Sequence, residues 1–511
     1  MIPGVSTNDL FTISPLLTII ITAMLVLMVD LGLPRDRKSP LVFVSFIGIV
    51  VAVCFSIALW NGDHSGFGGT VIADRFAVMF QVILLIVTAL SILLSERYIQ
   101  QKGINYGEYY ALLLFSVSGA MLMASSRELI TIFIGLEVLS IALYILAGFA
   151  RTEARSEEAA MKYFLLGAFS SGFFLYGIAL IYGGTGTTRL NEIAALPSSV
   201  LDSTYALAGA ALLIVGLGFK AAIVPFHNWT PDVYEGAPTS VTAFMSAGAK
   251  AAAFATFIRV IVALMGSFAF FHGVLWILAL LTMVVGNVVA VAQSNIKRML
   301  AYSSVAHAGY ILVGLLADNP QGRAGVLFYV LVYTFMNLGA FGILIWLSRR
   351  GEELNQIEDL QGLSVRQPAA AALMALFMLS LGGIPPTAGF LGKLYLFIAA
   401  VHADQYGLAV AGLLASVIGV FYYLRVIIAM YFQPVKNEYP IRKWGFAPGA
   451  DIAIILSALL TLGLGLFSGP VYRLAQEGAA SISPVPATVD ASSPVVAQAP
   501  STVVVQQASV R

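Results

Sequence analysis

Six side chains that take up or release protons sit inside stretches that are otherwise apolar. They are Glu137 in FIGLEVLSIALYILAG, Lys162 in EEAAMKYFLLGA, Lys220 in GLGFKAAIVPFHNW, Lys250 in SAGAKAAAFA, His307 in AYSSVAHAGY and Lys393 in GIPPTAGFLGKLY. A charge at the centre of a bilayer costs about 2.5–3.5 kcal/mol on insertion scales. It persists there if it faces a polar cavity, pairs with an opposite charge or sheds its proton. Glu137 is the one acid deep in a span, so it can pair one lysine and leaves Lys250, His307 and Lys393 without a carboxylate. Lys220 and Lys393 adjoin proline breaks, at Pro225 and at Pro385–Pro386. A broken helix exposes backbone carbonyl and N–H groups that need water or side chains. The chemistry this pattern suits is proton transfer along a hydrated line inside the membrane.

Composition sets the frame for that reading. Of 511 residues, 59% are hydrophobic and 10% charged, and the mean hydropathy is +0.90. Soluble domains carry about 25% charged residues, so the chain is a membrane protein. A net charge of +1 gives no basic surplus for a nucleic-acid partner. The single cysteine, Cys54, excludes disulfides and cysteine-ligated clusters within the chain. The five histidines show no metal-ligand spacing, and GGTG at 183–186 reads as a loop rather than a phosphate cradle. No cofactor of any kind is expected in this chain, and electrons of any associated redox reaction travel elsewhere.

The elements that must position the six residues are helices. Runs of roughly 20 apolar residues fall near 13–33, 40–60, 76–95, 109–125, 128–150, 160–182, 204–228, 239–263, 268–292, 299–317, 323–347, 368–401, 406–432 and 450–474. The expected fold is an all-α polytopic membrane protein of about fourteen transmembrane helices, with the 204–228 and 368–401 helices discontinuous. The first run lacks a basic leader and reads as a retained span. Connections on one side carry fifteen Lys and Arg, including Arg35, Arg155, Arg298, Arg349, Arg350, Lys436, Arg442 and Lys443; the other side carries six, including Arg127 and Arg511. Positive-inside places both termini outside the cytoplasm. Arg259 and Arg425, toward helix ends, read as interfacial anchors that snorkel. Lys162, near the start of its helix, has a similar interfacial reading.

A repeat is also legible. Glu137 and His307 are 170 residues apart, Lys220 and Lys393 173, and Lys250 and Arg425 175. This predicts three helices over 1–107, a five-helix repeat over 108–264, a second over 265–433, a loop and last helix over 434–477, and a disordered tail over 478–511. Five crossings are odd, so the second block runs in the opposite sense, as in inverted-repeat transporters.

Desolvation disfavours a buried ammonium, and a nearby carboxylate restores it. At an effective dielectric near 20, a pair about 4 Å apart interacts by roughly 4 kcal/mol. Moving Glu137 relative to Lys220 would then decide which of them holds a proton. The alternative is a static ion pair, and His307 reads equally as a neutral imidazole bonded to a helix carbonyl.

The phrases GLGFKAAIVPFHNWTPDVYEGAP, QSNIKRMLAYSSVAHAGY, LSLGGIPPTAGFLGKLY and FYYLRV resemble the antiporter-like membrane subunits of respiratory complex I, over about 13–475. The resemblance implies fourteen helices, inverted five-helix repeats and half-channels from each side joined by a charged axis. It implies proton-translocating roles for Glu137, Lys220, Lys250, His307 and Lys393, and a lesser one for Lys162. Lysine at 393 differs from the sister subunit that has glutamate there. The resemblance also implies a translocase subunit in a cell membrane, with other membrane-arm subunits as partners. FMN, iron–sulfur clusters, NADH oxidation and quinone would belong to the assembled complex. The competing readings are a subunit of a multi-subunit sodium/proton antiporter and a non-conducting structural module.

Overall fold

The computed structural model describes residues 5–34, 37–265, 269–348, 353–435 and 447–482. Arg35, Arg349, Arg350, Lys436, Arg442, Lys443, Arg511 and tail residues 483–511 lie outside the described residues. Among the described residues, thirteen helices are long and apolar enough to cross a membrane, and two shorter apolar helices, Pro368–Gly382 and Ala388–His402, follow one another within the 368–401 stretch. The chain is a multi-pass, mostly helical membrane protein.

Apolar composition on every side marks a helix for the centre of a bundle. Thr239–Ala263 and Ile296–Leu316 are each 94% buried over their most apolar stretch, whereas Ser14–Leu31 is 28% buried. The first two therefore form the centre, and Lys250 and His307 are carried there. Exposed Ile134, Ile141 and Ile145 line the outer face of the Glu137 helix, Leu129–Ala147.

Without a hydrophobic drive between helices in lipid, close approach depends on small residues. Gly119 and Gly135 supply it for the Glu137 helix: a Cβ on Gly119 would lie 2.4 Å from Leu139 N and 2.5 Å from Gly135 O. Gly177 and Gly209 do the same for the Ala154–Thr185 and Thr204–Ala221 helices, where a Cβ on either would meet the other's carbonyl within 2.9 Å.

The helix begun at Thr204 ends at Ala221, and a separate short helix, Trp229–Gly236, follows the proline turn. Other elements were not expected from the sequence. A π-helical turn over Met245–Ala249 precedes Lys250. The final stretch also divides, into Pro448–Leu466 and Gly469–Ala480, because Gly469–Pro470 starts a new helix after Ser468. That helix carries order two residues past the expected start of the tail. A two-stranded antiparallel hairpin, His64–Gly66 with Val71–Ala73, turns through the glycine pair Gly68–Gly69 and adds a minor strand element to a helical chain.

Candidate functional site

Lys220 lies in the last turn of its helix, which ends at Ala222 in the left-handed region, φ 61°. Its Nζ donates to Ser140 Oγ at 2.8 Å and to Tyr163 OH at 3.2 Å. Ser140 is one turn beyond Glu137 on the same helix face. The two partners of Lys220 are hydroxyls rather than a carboxylate, and Glu137 Oε1 is buried without a hydrogen-bond partner among the described residues. The static Glu137–Lys220 bridge is thus not formed in this conformation.

Tyr163 stacks on Trp229, with ring centres 4.6 Å apart and planes 9° apart. Trp229 Nε1 donates to Phe219 O at 2.9 Å, tying the short helix after the break to the last turn before it. Trp229 in turn meets Tyr234 edge-on at 6.1 Å, and the Tyr234 hydroxyl lies beside Ser304. An aromatic row therefore leads from Lys220 toward the helix of His307.

Lys250 is 3% exposed, in the most buried part of the bundle. Its Nζ donates to the backbone carbonyl of Ser304, one turn before His307. Local π turns inside α-helices are frequent at functional sites, and here one sits directly before the lysine. His307 has both ring nitrogens engaged: Nδ1 with Tyr329 OH at 2.5 Å and Nε2 with Tyr423 OH at 3.0 Å. The partners are phenols, so the helix-carbonyl reading of His307 does not hold.

The Pro368–Gly382 helix ends at Gly383, φ 81°, leaving its last carbonyls open. Lys393, on the helix after the break, reaches back to fill them, donating to Leu381 O at 3.0 Å, Gly382 O at 3.1 Å and Ser416 Oγ at 2.9 Å. A cation at a helix C-terminus complements the helix dipole. Its ammonium also lies 4.9 Å from the Tyr310 ring centre.

Lys162 stands apart from these. Its side chain is 41% exposed and it pairs with Glu158 and Asp232, each at 2.7 Å. Arg259 is not a snorkelling anchor. Its guanidinium is buried and bidentate on Asp74, at 2.7 and 3.1 Å, because Asp74 caps the Arg75–Gln101 helix directly beside it. Arg425 turns inward to the carbonyls of Val291 and Gln293.

The structure thus places Lys250 against the His307 helix, and Glu137 and Lys220 around Ser140. Ser140, Tyr163, Trp229, Tyr329, Tyr423 and Ser416 were not singled out from sequence. The quoted phrases HNWTPDVYEGAP and FYYLRV contain Trp229 and Tyr423, but residue type alone gave neither a role. Among the described residues, no three His, Cys, Asp or Glu side chains gather to hold a metal.

A bundle with amines buried at its centre and beside two helix breaks defines an antiporter-like class of membrane protein. The family described as NADH:quinone oxidoreductase/Mrp antiporter, transmembrane region, matches residues 126–419. NADH-quinone oxidoreductase subunit N of Trichlorobacter lovleyi is 47% identical over 475 residues, 92% of this chain and 97% of that protein. A chain of respiratory complex I from Thermus thermophilus superposes with a TM-score of 0.77 at 35% identity, covering 90% of this chain and 99% of that one. A chain of the membrane-bound sulfane sulfur reductase, an archaeal respiratory membrane complex, gives 0.81 at 26% identity over 93% and 97%. The chain belongs to the NADH-quinone oxidoreductase subunit N family.

Proposed function

We propose that this chain is a proton-translocating membrane-arm subunit of a proton-pumping NADH:quinone oxidoreductase. Family membership supports the assembly, and other membrane-arm subunits and the lipid bilayer are then its partners. NADH oxidation, FMN, the iron–sulfur clusters and quinone reduction belong to other parts of that assembly. This chain contributes proton movement.

The observation that carries the reading is that Lys220, Lys250 and Lys393 are buried yet bonded to hydroxyls and carbonyls rather than to carboxylates. A structural ion pair explains none of them. Each of these partners can release the amine without stranding a counter-charge, which suits a group that must change its proton content. Glu137, Lys220, Lys250, His307 and Lys393 form the proposed line, joined through Ser140, Ser304 and the Tyr423 phenol. Lys162 belongs to its edge. The two breaks, after Ala221 and after Gly382, fall at corresponding places in the two proposed inverted five-helix blocks and supply open backbone groups to the line. The basic side of the bundle is read as cytoplasmic, with both termini on the other side of the cell membrane.

The test is proton pumping and uncoupled NADH oxidation in reconstituted complexes carrying Lys220→Ala or Glu137→Ala. Loss of pumping with oxidation retained is expected. Unchanged pumping in both variants defeats the proposal. Purification in mild detergent separates it from a sodium/proton antiporter, since flavin and iron–sulfur subunits should accompany the chain.

A further inference from the structure

The helix Pro320–Leu347 presents Tyr329, Tyr333 and Asn337 four residues apart, on one face, and all three are buried. Two of them meet His307: Tyr329 by its hydrogen bond to Nδ1, and Tyr333 with ring centres 5.1 Å apart. The third reaches a different helix. Asn337 Nδ2 donates to Ser246 Oγ, whose own hydrogen goes to Ala243 O at 2.7 Å. Ser246 belongs to the π-helical turn Met245–Ala249, which runs directly into Lys250.

Stability alone does not account for this amide. Asn337 is fully buried, and its Oδ1 has no hydrogen-bond partner among the described residues. A buried acceptor left unpaired costs more than one neutral hydrogen bond returns. Leucine, of similar size and with no polar atom to satisfy, would sit there at lower cost. The bond does govern geometry. A π turn holds one residue more than an α turn, and each residue of an α-helix turns the chain by about 100°. A continuous α-helix through the same residues would thus swing the Lys250 side chain about 100° round the axis. Its ammonium would then leave the Ser304 carbonyl that it now holds, one turn before His307.

We propose that Asn337 is a positioning residue for Lys250: by gripping Ser246 it fixes the π turn in the register that directs the ammonium to the His307 helix. The inference rests on the proton-translocating reading above. One face of one helix then sets His307 at one end, through Tyr329 and Tyr333, and the turn before Lys250 at the other, through Asn337.

The experiment uses the assembled complex in proteoliposomes, with protons pumped per electron, NADH oxidation and melting temperature read for each variant. Asn337→Leu is expected to melt no lower than wild type, since it removes an unpaired acceptor, and to retain NADH oxidation. Its proton-to-electron ratio is expected to drop by at least half of the drop in Lys250→Ala. Ser246→Ala cuts the same bond from the other side and is expected to lower the ratio likewise, so it carries the test if the leucine disturbs assembly. Added to Lys250→Ala, Asn337→Leu is expected to change nothing more, because it acts through that lysine. A further drop there shows a structural role and overturns the inference. A full ratio in Asn337→Leu and Ser246→Ala, with the ratio reduced in Lys250→Ala, also overturns it and leaves the translocating reading standing. Full ratios in all three overturn both.

Discussion

Lys220 donates to Ser140 Oγ at 2.8 Å, and Glu137 lies one turn before that serine on the same helix with a buried oxygen that has no partner among the described residues. If the Lys220 ammonium exchanged the serine for the carboxylate, a pair at about 4 Å would be worth roughly 4 kcal/mol at an effective dielectric near 20. That would be enough to change which partner holds the proton. Ser140→Ala removes the serine's hydrogen bond to the ammonium. A lost hydrogen bond to a charged group costs about 1.5–3 kcal/mol, so pumping should fall about tenfold or more, with uncoupled NADH oxidation unchanged. Proton flux in proteoliposomes checks it, and full flux rejects the role of the serine.

His307 is held between Tyr329 and Tyr423. Tyr423→Phe leaves Nε2 buried without that partner, at about 1–3 kcal/mol. The expected outcome is reduced pumping with normal assembly, read from the proton-to-electron ratio beside native-gel abundance of the complex. A variant that pumps normally excludes Tyr423 from the line.

Arg259 and Asp74 make a buried bidentate pair, joined by Arg127 at 3.9 Å. Removing one partner strands a buried charge, at about 3–5 kcal/mol. Asp74→Ala should sharply lower the amount of subunit in membranes, measured by immunoblot. Asp74→Leu with Arg259→Met should recover part of it, because two apolar groups leave no charge behind.

Glu353, in the connection after Pro320–Leu347, is bonded by Lys297 at 3.0 Å, Lys102 at 3.1 Å and the Tyr98 hydroxyl. Burial pushes its pKa up, but the charges of Lys297 and Lys102 and these hydrogen bonds outweigh it, holding the carboxyl at about 2 against an ordinary 4.5. A depressed carboxyl contributes stability that is fully present above its unfolded value and lost as pH falls through its folded one. Wild type should lose thermal stability between pH 4.5 and about 2. In Glu353→Gln the stability at neutral pH is lower and that acid-side loss is reduced. Detergent-solubilised melting curves across this range decide it, and an unchanged acid limb in the variant removes the network's role.

Gly119 allows the Glu137 helix to approach within backbone contact. Gly119→Val forces the two helices apart, so a loss of stability of at least about 1–3 kcal/mol follows from overpacking. Reduced subunit abundance together with reduced pumping is expected, whereas Gly172→Ala, where an added Cβ meets nothing within 4 Å, should be silent.

Much of this molecule was legible before its structure. Apolar runs of span length announce helices because lipid requires every backbone group to be satisfied within the helix. Charges inside them stand out because they are costly there. Glu137, Lys220, Lys250, His307 and Lys393 were found on that ground alone. Arg259 was misjudged because its partner Asp74 lies 185 residues away in the chain. Lys162 was grouped with the buried set because its run is apolar, while its side chain points to Asp232, 70 residues on.

The sequence by itself determined the membrane solvent, the helical architecture, the two proline breaks and the ionisable side chains that lipid would otherwise reject. Each of those follows from local composition and the cost of an unsatisfied group. The tertiary structure alone decided who meets whom: Ser140 of the Glu137 helix on Lys220, a carbonyl of the His307 helix beneath Lys250, and the open end of one half-helix around Lys393. Such meetings depend on close helix contacts at glycines such as Gly119 and Gly177, and on side chains far apart in the chain. No local pattern in one sequence encodes them.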